Sequence, residues 1–236
     1  MSKSLLNVLV RKQLSRLGNG LRGGVRPEFE SVYQRIFDRD LERLGIANDY
    51  YPLGSAANYS LMYLVSRLIQ SFAFQQIVEL GAGQTTLLIN ALKKSGIFNG
   101  SGITIEHDKF WREFVQEKVE HELKLVRLSD NPYPGGYDLS GIDIPSKIEF
   151  LLIDGPPASD EKYLSRHSAL PLLESLSQDG FVIVIDDAER PGEAALAERI
   201  AATLAKKGIG CRIGDVVASK RQTIIASGMF ESASFY

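Results

Sequence analysis

Four stretches of this chain end an apolar run in a glycine turn or an acid, and such endings are where α/β domains place their chemistry. Gln76 to Thr86 reads Gln-Ile-Val-Glu79-Leu-Gly81-Ala82-Gly83-Gln-Thr85-Thr86. Gly81 and Gly83 allow a tight bend and let a ligand approach where a Cβ would block it. The third glycine of the dinucleotide fingerprint G-x-G-x-x-G is absent, because Thr86 stands there. Glu79, two residues before the first glycine, suits a cation better than a phosphate. Ile103-Thr-Ile-Glu106-His107 carries an acid 23 residues after Gly83, near where a doubly wound fold uses a carboxylate to hold ribose hydroxyls. His107 is read as a polar neighbour of an adenine pocket. The other two stretches are Phe150-Leu-Leu-Ile-Asp154-Gly-Pro-Pro157 and Phe181-Val-Ile-Val-Ile-Asp186-Asp187, buried strands with acids at their carboxyl ends.

S-adenosylmethionine (SAM) carries an ammonium and a sulfonium and no phosphate, and it suits such a turn better than NAD does. Val-Glu-Leu-Gly-Ala-Gly resembles motif I of the class I SAM-dependent methyltransferases. The resemblance runs over roughly residues 50 to 228 and implies a seven-stranded sheet of order 3-2-1-4-5-7-6. It places the methionine end of SAM at Glu79 and the Gly81–Gly83 turn, with Ala82 and Thr85, and the ribose at Glu106. Asp154, the motif IV position, then faces both donor and acceptor. Three crowded carboxylates need something positive between them. One answer is Mg²⁺ held by Asp154, Asp186 and Asp187, as in the catechol-type and glucuronoxylan-type O-methyltransferases that these positions resemble. The other is pairing with Arg166 or Arg190. The chain departs from the catechol type at Pro157, where that family has a lysine base, and at Asp187, where it has asparagine.

For a hydroxyl acceptor the base candidates are His167, whose ordinary pKa suits the task, and Lys162. Both lie in the ionisable stretch Glu161 to His167, expected at the start of a helix. The expected reaction is O-methylation of a small molecule or sugar. An NAD(P)-dependent oxidoreductase and a non-catalytic SAM-binding domain are the alternatives. Strand four lacks the Asn-Pro-Pro-Tyr type of signature for amino-group methylation, which makes nucleic acid an unfavoured partner.

These groups need a scaffold. Strands are expected at 76–81, 102–107, 123–128, 148–154, 180–186, 209–217 and 221–227, mostly alternating with helices, which predicts a parallel sheet with right-handed crossovers. A turn near Ser219 makes the last strand antiparallel. This is an α/β, doubly wound, Rossmann-like domain over residues 51–236. Ser129 to Lys147, with Pro132, Pro134, Gly135, Gly136 and Pro145, is neither helix nor central strand. It leaves the site side of the sheet and is a candidate substrate loop.

Residues 1–50 form a basic N-terminal helical extension. Lys3, Arg11, Lys12, Arg16, Arg22 and Arg26 meet no acid before Glu28, and Leu5, Leu6, Leu9, Leu14 and Leu17 give a short amphipathic face that suits peripheral contact with an anionic membrane. Helices are expected over Glu28–Leu44, capped by Gly45, and over 56–72. The 44% apolar and 24% charged residues are those of a globular domain, and a net charge of −2 makes no electrostatic case for nucleic acid. The lone Cys211 cannot form an internal disulfide, which suits a reducing cytoplasm. No apolar run nears the roughly 20 residues a bilayer requires.

Overall fold

The computed structural model describes residues 24–52, 56–158 and 164–236. Lys162 and the leucine-rich segment before Gly24 lie outside the described residues. The first two α-helices of the described residues are α1 (Glu30–Leu44) and α2 (Tyr59–Ser71). Gly45 ends α1 at φ 67°, the left-handed cap that glycine adopts without strain. Asn58 caps α2 by accepting from Leu61 N. Glu30 at the start of α1 accepts from Ser60 N and from Ser219 N and Oγ, so α1 is tied into the domain.

Strand β1 (Gln76–Leu80) then leads through the glycine turn to α3 (Gln84–Lys94), and β2 (Ser101–Glu106) leads to α4 (Lys109–Gln116) and β3 (Glu122–Leu125). A two-residue ladder, β4 (Leu128–Ser129) with β5 (Gly136–Tyr137), organises the proline-rich loop. After it come β6 (Phe150–Ile153), β7 (Gly180–Ile185), α5 (Pro191–Lys206), β8 (Arg212–Val217) and β9 (Arg221–Gly228).

The main sheet has the order β3-β2-β1-β6-β7-β9-β8. The pairs among β3, β2, β1, β6 and β7 are parallel, and β9 enters antiparallel to both neighbours. With the small ladder set aside, this is 3-2-1-4-5-7-6, the Rossmann-like order that the resemblance implies.

Alternation along the strands builds two cores. Phe150, Leu152, Val182 and Val184 face α1, α2 and α3, whereas Leu151, Ile153, Ile183 and Ile185 face α5 and residues 165–175. Those last residues differ from expectation. They form a 3₁₀ run, Ser165–Ser175, instead of a regular helix. Pro171 lies inside it, lacks the N–H and crowds the carbonyl four residues back. Among the described residues no helix is long and apolar enough to cross a membrane.

Candidate functional site

A cavity of about 480 Å³ opens over the carboxyl ends of β1, β2 and β6. Gly81, Ala82, Gly83, Glu106, His107 and Asp154 all border it, so six positions singled out in the sequence meet in one place. Gly81 sits at φ 95°, and a Cβ there would come within 3.0 Å of the Asp154 carbonyl, so both conformation and space demand glycine. Gly83 has ordinary extended backbone, φ −176°, and a Cβ would meet nothing within 4 Å. Its missing side chain therefore serves no packing need of the protein and leaves room for something held in the cavity.

The amides of this turn have internal partners. Gly81 N donates to Ile105 O at 2.9 Å, Ala82 N to Glu106 Oε2 at 3.0 Å, and Gly83 N to Thr86 Oγ1 at 2.8 Å. A pyrophosphate site needs such amides free. Glu106 also accepts from His107 N and Asp108 N at 2.7 and 2.8 Å, and His107 Nδ1 lies 2.8 Å from Oε1. Asp108 caps α4 by accepting from Trp111 N, which brings Trp111 to the cavity wall, where its Nε1 donates to Ala82 O at 2.6 Å. Glu106, Asp108 and Asp154 border the space, and among its described lining residues there is no lysine or arginine.

Glu79 is not among the residues bordering the cavity, which corrects the expectation that it faces a ligand cation. Strand alternation turns it, like Ile77, toward the α3 side of the sheet, where it is fully buried. There its carboxyl accepts from Thr85 Oγ1 at 2.5 Å, Thr86 Oγ1 at 2.7 Å and Thr104 Oγ1 at 2.7 Å. Burial lifts its pKa to about 7 against the pull of these three hydroxyls. Thr85 is thus a partner of Glu79 and does not border the cavity either. Through Thr86, which accepts from Gly83 N, Glu79 holds the turn from behind.

The expected convergence of Asp154, Asp186 and Asp187 is found, with one oxygen of each within 4.8 Å of the others. Cations of the chain occupy the gap. Arg166 Nη2 lies 2.9 Å from Asp187 Oδ2 and 3.4 Å from Asp154 Oδ1, and its Nη1 donates to Asp186 O at 2.9 Å. Lys220 Nζ lies 3.1 Å from Asp186 Oδ2 and 2.9 Å from Asp187 Oδ1. Arg190 reaches Asp187 Oδ2 at 3.0 Å, and Gln222 donates to Asp186 Oδ1 at 2.7 Å. Asp187 attains this place with a left-handed backbone, φ 57°.

Burial and the charge of Asp186 raise the pKa of Asp154 well above the carboxylate range. For Asp186 burial also pushes upward, but Lys220 and Arg166 outweigh it and its pKa falls. Burial pulls Lys220 downward, and its aspartates hold it above its ordinary value. The donor set therefore does not fit a divalent ion, because its lone pairs already face an ammonium and a guanidinium. Of the two answers weighed from sequence, the geometry matches pairing with Arg166 and Arg190, with Lys220 added.

His167 does not border the cavity. Its Nε2 lies 3.1 Å from Gly192 O under the start of α5, its ring packs 5.5 Å from Tyr133, and burial lowers its pKa. The base role assigned to it has no geometric support. Sequence reasoning missed Asp108, Trp111 and Lys220. The first two follow a recognisable cap, whereas Lys220 belongs to the β8–β9 turn and gave no signal. Tyr137, inside the proline-rich loop, also borders the cavity.

No protein-family model and no curated protein matches this sequence. Solved structures do. The O-methyltransferase from Bacillus cereus in complex with SAH is 16% identical over 86% of this chain and 91% of that one, with a TM-score of 0.49. A methyltransferase from Pyrococcus furiosus is 20% identical over 84% and 98%, with a TM-score of 0.47. The hMettl16 catalytic domain in complex with MAT2A 3′UTR hairpin 1 is 13% identical over 81% and 77%, with a TM-score of 0.45. Similarity at this level says nothing of the acceptor or cofactor of this chain.

Proposed function

We propose that this protein is a SAM-dependent methyltransferase that transfers the methyl group to a hydroxyl of a small molecule or sugar. The observation that carries the reading is the character of the cavity. It is acidic, it has no lysine or arginine among its described lining residues, and its glycine turn spends its amides internally. Such a space favours a ligand that brings positive charge and hydroxyls and no phosphate. SAM meets that description and NAD does not.

SAM, when bound, would supply an electrophilic methyl group on a sulfonium. The residues of the chain that would hold it are Glu106, toward the ribose hydroxyls, and the Gly81–Gly83 turn, whose bare Gly83 leaves the room. Methyl transfer cancels charge in the transition state, so alignment and exclusion of water contribute most. Asp154 borders the cavity with its proton affinity raised by burial and Asp186, which suits it to take the proton of an acceptor hydroxyl. The acidic cavity and the net charge of −2 support a small acceptor over nucleic acid.

Calorimetry with S-adenosylhomocysteine tests the reading. Wild type is expected to bind it, and Gly83→Leu, whose Cβ enters free space, is expected to abolish binding at an unchanged melting temperature. Glu106→Ala should weaken it as well. Binding of NADH in place of S-adenosylhomocysteine would sink the proposal.

A further inference from the structure

Tyr137 poses a problem that the described protein does not solve. The residue is 4% exposed, and its Oη has no hydrogen-bond partner among the described residues. A buried hydroxyl without a partner costs roughly 1–3 kcal/mol, and native proteins keep few of them. The side chain borders the cavity, and its Oη lies so close over Gly155 that a Cβ there would stand 2.6 Å from it, beside Gly81 Cα at 2.7 Å. The phenol thus sits where the turn after β1 meets the end of β6, its buried hydroxyl beside two glycines that border the cavity.

The position is built, and more than one element fixes it. Tyr137 N donates to Ser168 Oγ at 3.0 Å, and the β5 strand that carries it pairs with β4. Gly136 gives the loop its close seat, since a Cβ there would meet Ser168 Cβ at 2.8 Å. His107 packs against the ring, 6.0 Å between centroids. Burial, reinforced by the charge of Glu106, raises the phenol's pKa, so the group stays a neutral donor.

We propose that Tyr137 Oη donates a hydrogen bond to the amino-acid carboxylate of the methyl donor. The inference rests on the methyltransferase reading and deepens it. SAM carries one anionic group, and the cavity is ill matched to it. Glu106 and Asp108 disfavour a carboxylate, no lysine or arginine is among the described lining residues, and the turn amides are engaged. A neutral, unengaged donor beside the glycine turn is what such a carboxylate requires, and the ammonium on the adjacent carbon then faces the acidic wall. One tyrosine thereby accounts for both the orphaned hydroxyl and the missing anion partner.

The test compares Tyr137→Phe with wild type against two probes. S-adenosylhomocysteine has the amino-acid end, and 5′-methylthioadenosine lacks it. A hydrogen bond to a charged group is worth roughly a tenfold change in affinity or more. Tyr137→Phe should weaken S-adenosylhomocysteine by at least about that factor and leave 5′-methylthioadenosine unchanged. Its melting temperature without ligand should stay level or rise, because the orphaned hydroxyl is gone; a structural role would lower it. Unchanged S-adenosylhomocysteine binding, or an equal loss for both probes, overturns the assignment of Tyr137 while the methyltransferase reading stands. Wild type that binds neither probe overturns both.

Discussion

Two groups of buried acids lie behind the same cavity, and they are neutralised in opposite ways. Under the glycine turn, Glu79 is surrounded by hydroxyls of Thr85, Thr86 and Thr104, with no cation paired to it among the described residues. At the ends of β6 and β7, Asp154, Asp186 and Asp187 are threaded by Arg166 and Lys220. Neutral donors lower a buried carboxyl's pKa only in part, so Glu79 stays near 7. In the second cluster burial and the charge of Asp186 raise Asp154 against the pull of the cations, whereas Lys220 and Arg166 lower Asp186. The first arrangement can take up or release a proton without leaving a bare charge partner, and it supports a turn. The second fixes charge permanently and leaves one acid, Asp154, with spare proton affinity at the cavity.

The comparison breaks most visibly at Arg166. Its side chain is 5% exposed and touches Asp154, Asp187 and Glu193. Arg166→Met leaves these carboxylates facing one another without their guanidinium. Removing one partner from a buried ionic group costs about 3–5 kcal/mol. Urea unfolding should show a loss of that order at neutral pH. A loss well under about 1 kcal/mol, typical of exposed pairs, would mean that the cluster is solvated.

Glu79 gives the next effect, and it depends on pH. Its folded pKa of about 7 exceeds the ordinary 4.5, so the folded state binds the proton more tightly. That contribution to stability is complete below about pH 4.5 and is lost as pH rises through 7. At about 1.4 kcal/mol for each pH unit, the full loss is on the order of 3.5 kcal/mol. Glu79→Gln removes the titration. Unfolding free energies at pH 5 and pH 8 should fall further in wild type than in the variant by up to about that amount. Parallel pH profiles would show that Glu79 keeps one protonation state throughout.

The two clusters also differ in how far sequence alone could reach. The strands, the closing hairpin and the turn were legible because each rests on local pattern, namely apolar runs, glycines and the acids that end them, whereas the strand order came from the resemblance. The cavity positions Glu106 and Asp154 were legible for the same reason. What Glu79 touches was not, although strand alternation was available to turn it away from the ligand side. His167 looked suitable by chemistry alone, but Pro171 breaks the expected helix and the ring ends under α5. Lys220 was out of reach, because 34 residues separate it from Asp186 and only the antiparallel pairing of β9 with β7 brings its turn to that cluster. Tyr137 needed the loop's own ladder to place it.

The smallest expected effect concerns metal. With Arg166 and Lys220 among the carboxylates, added Mg²⁺ and then EDTA should change neither the melting temperature of wild type nor its affinity for S-adenosylhomocysteine. Lys220 has an 18% exposed side chain, so water can partly replace it, and Lys220→Met should cost less than Arg166→Met. That variant leaves Asp186 and Asp187 short of a cation, and a divalent ion with oxygen ligands can then fill the gap. Its melting temperature should rise with Mg²⁺, as stabilisation by a ligand of the native state requires. A rise in wild type would show that the ion displaces the lysine, and the two acid clusters would then differ in their occupant instead of in their residues.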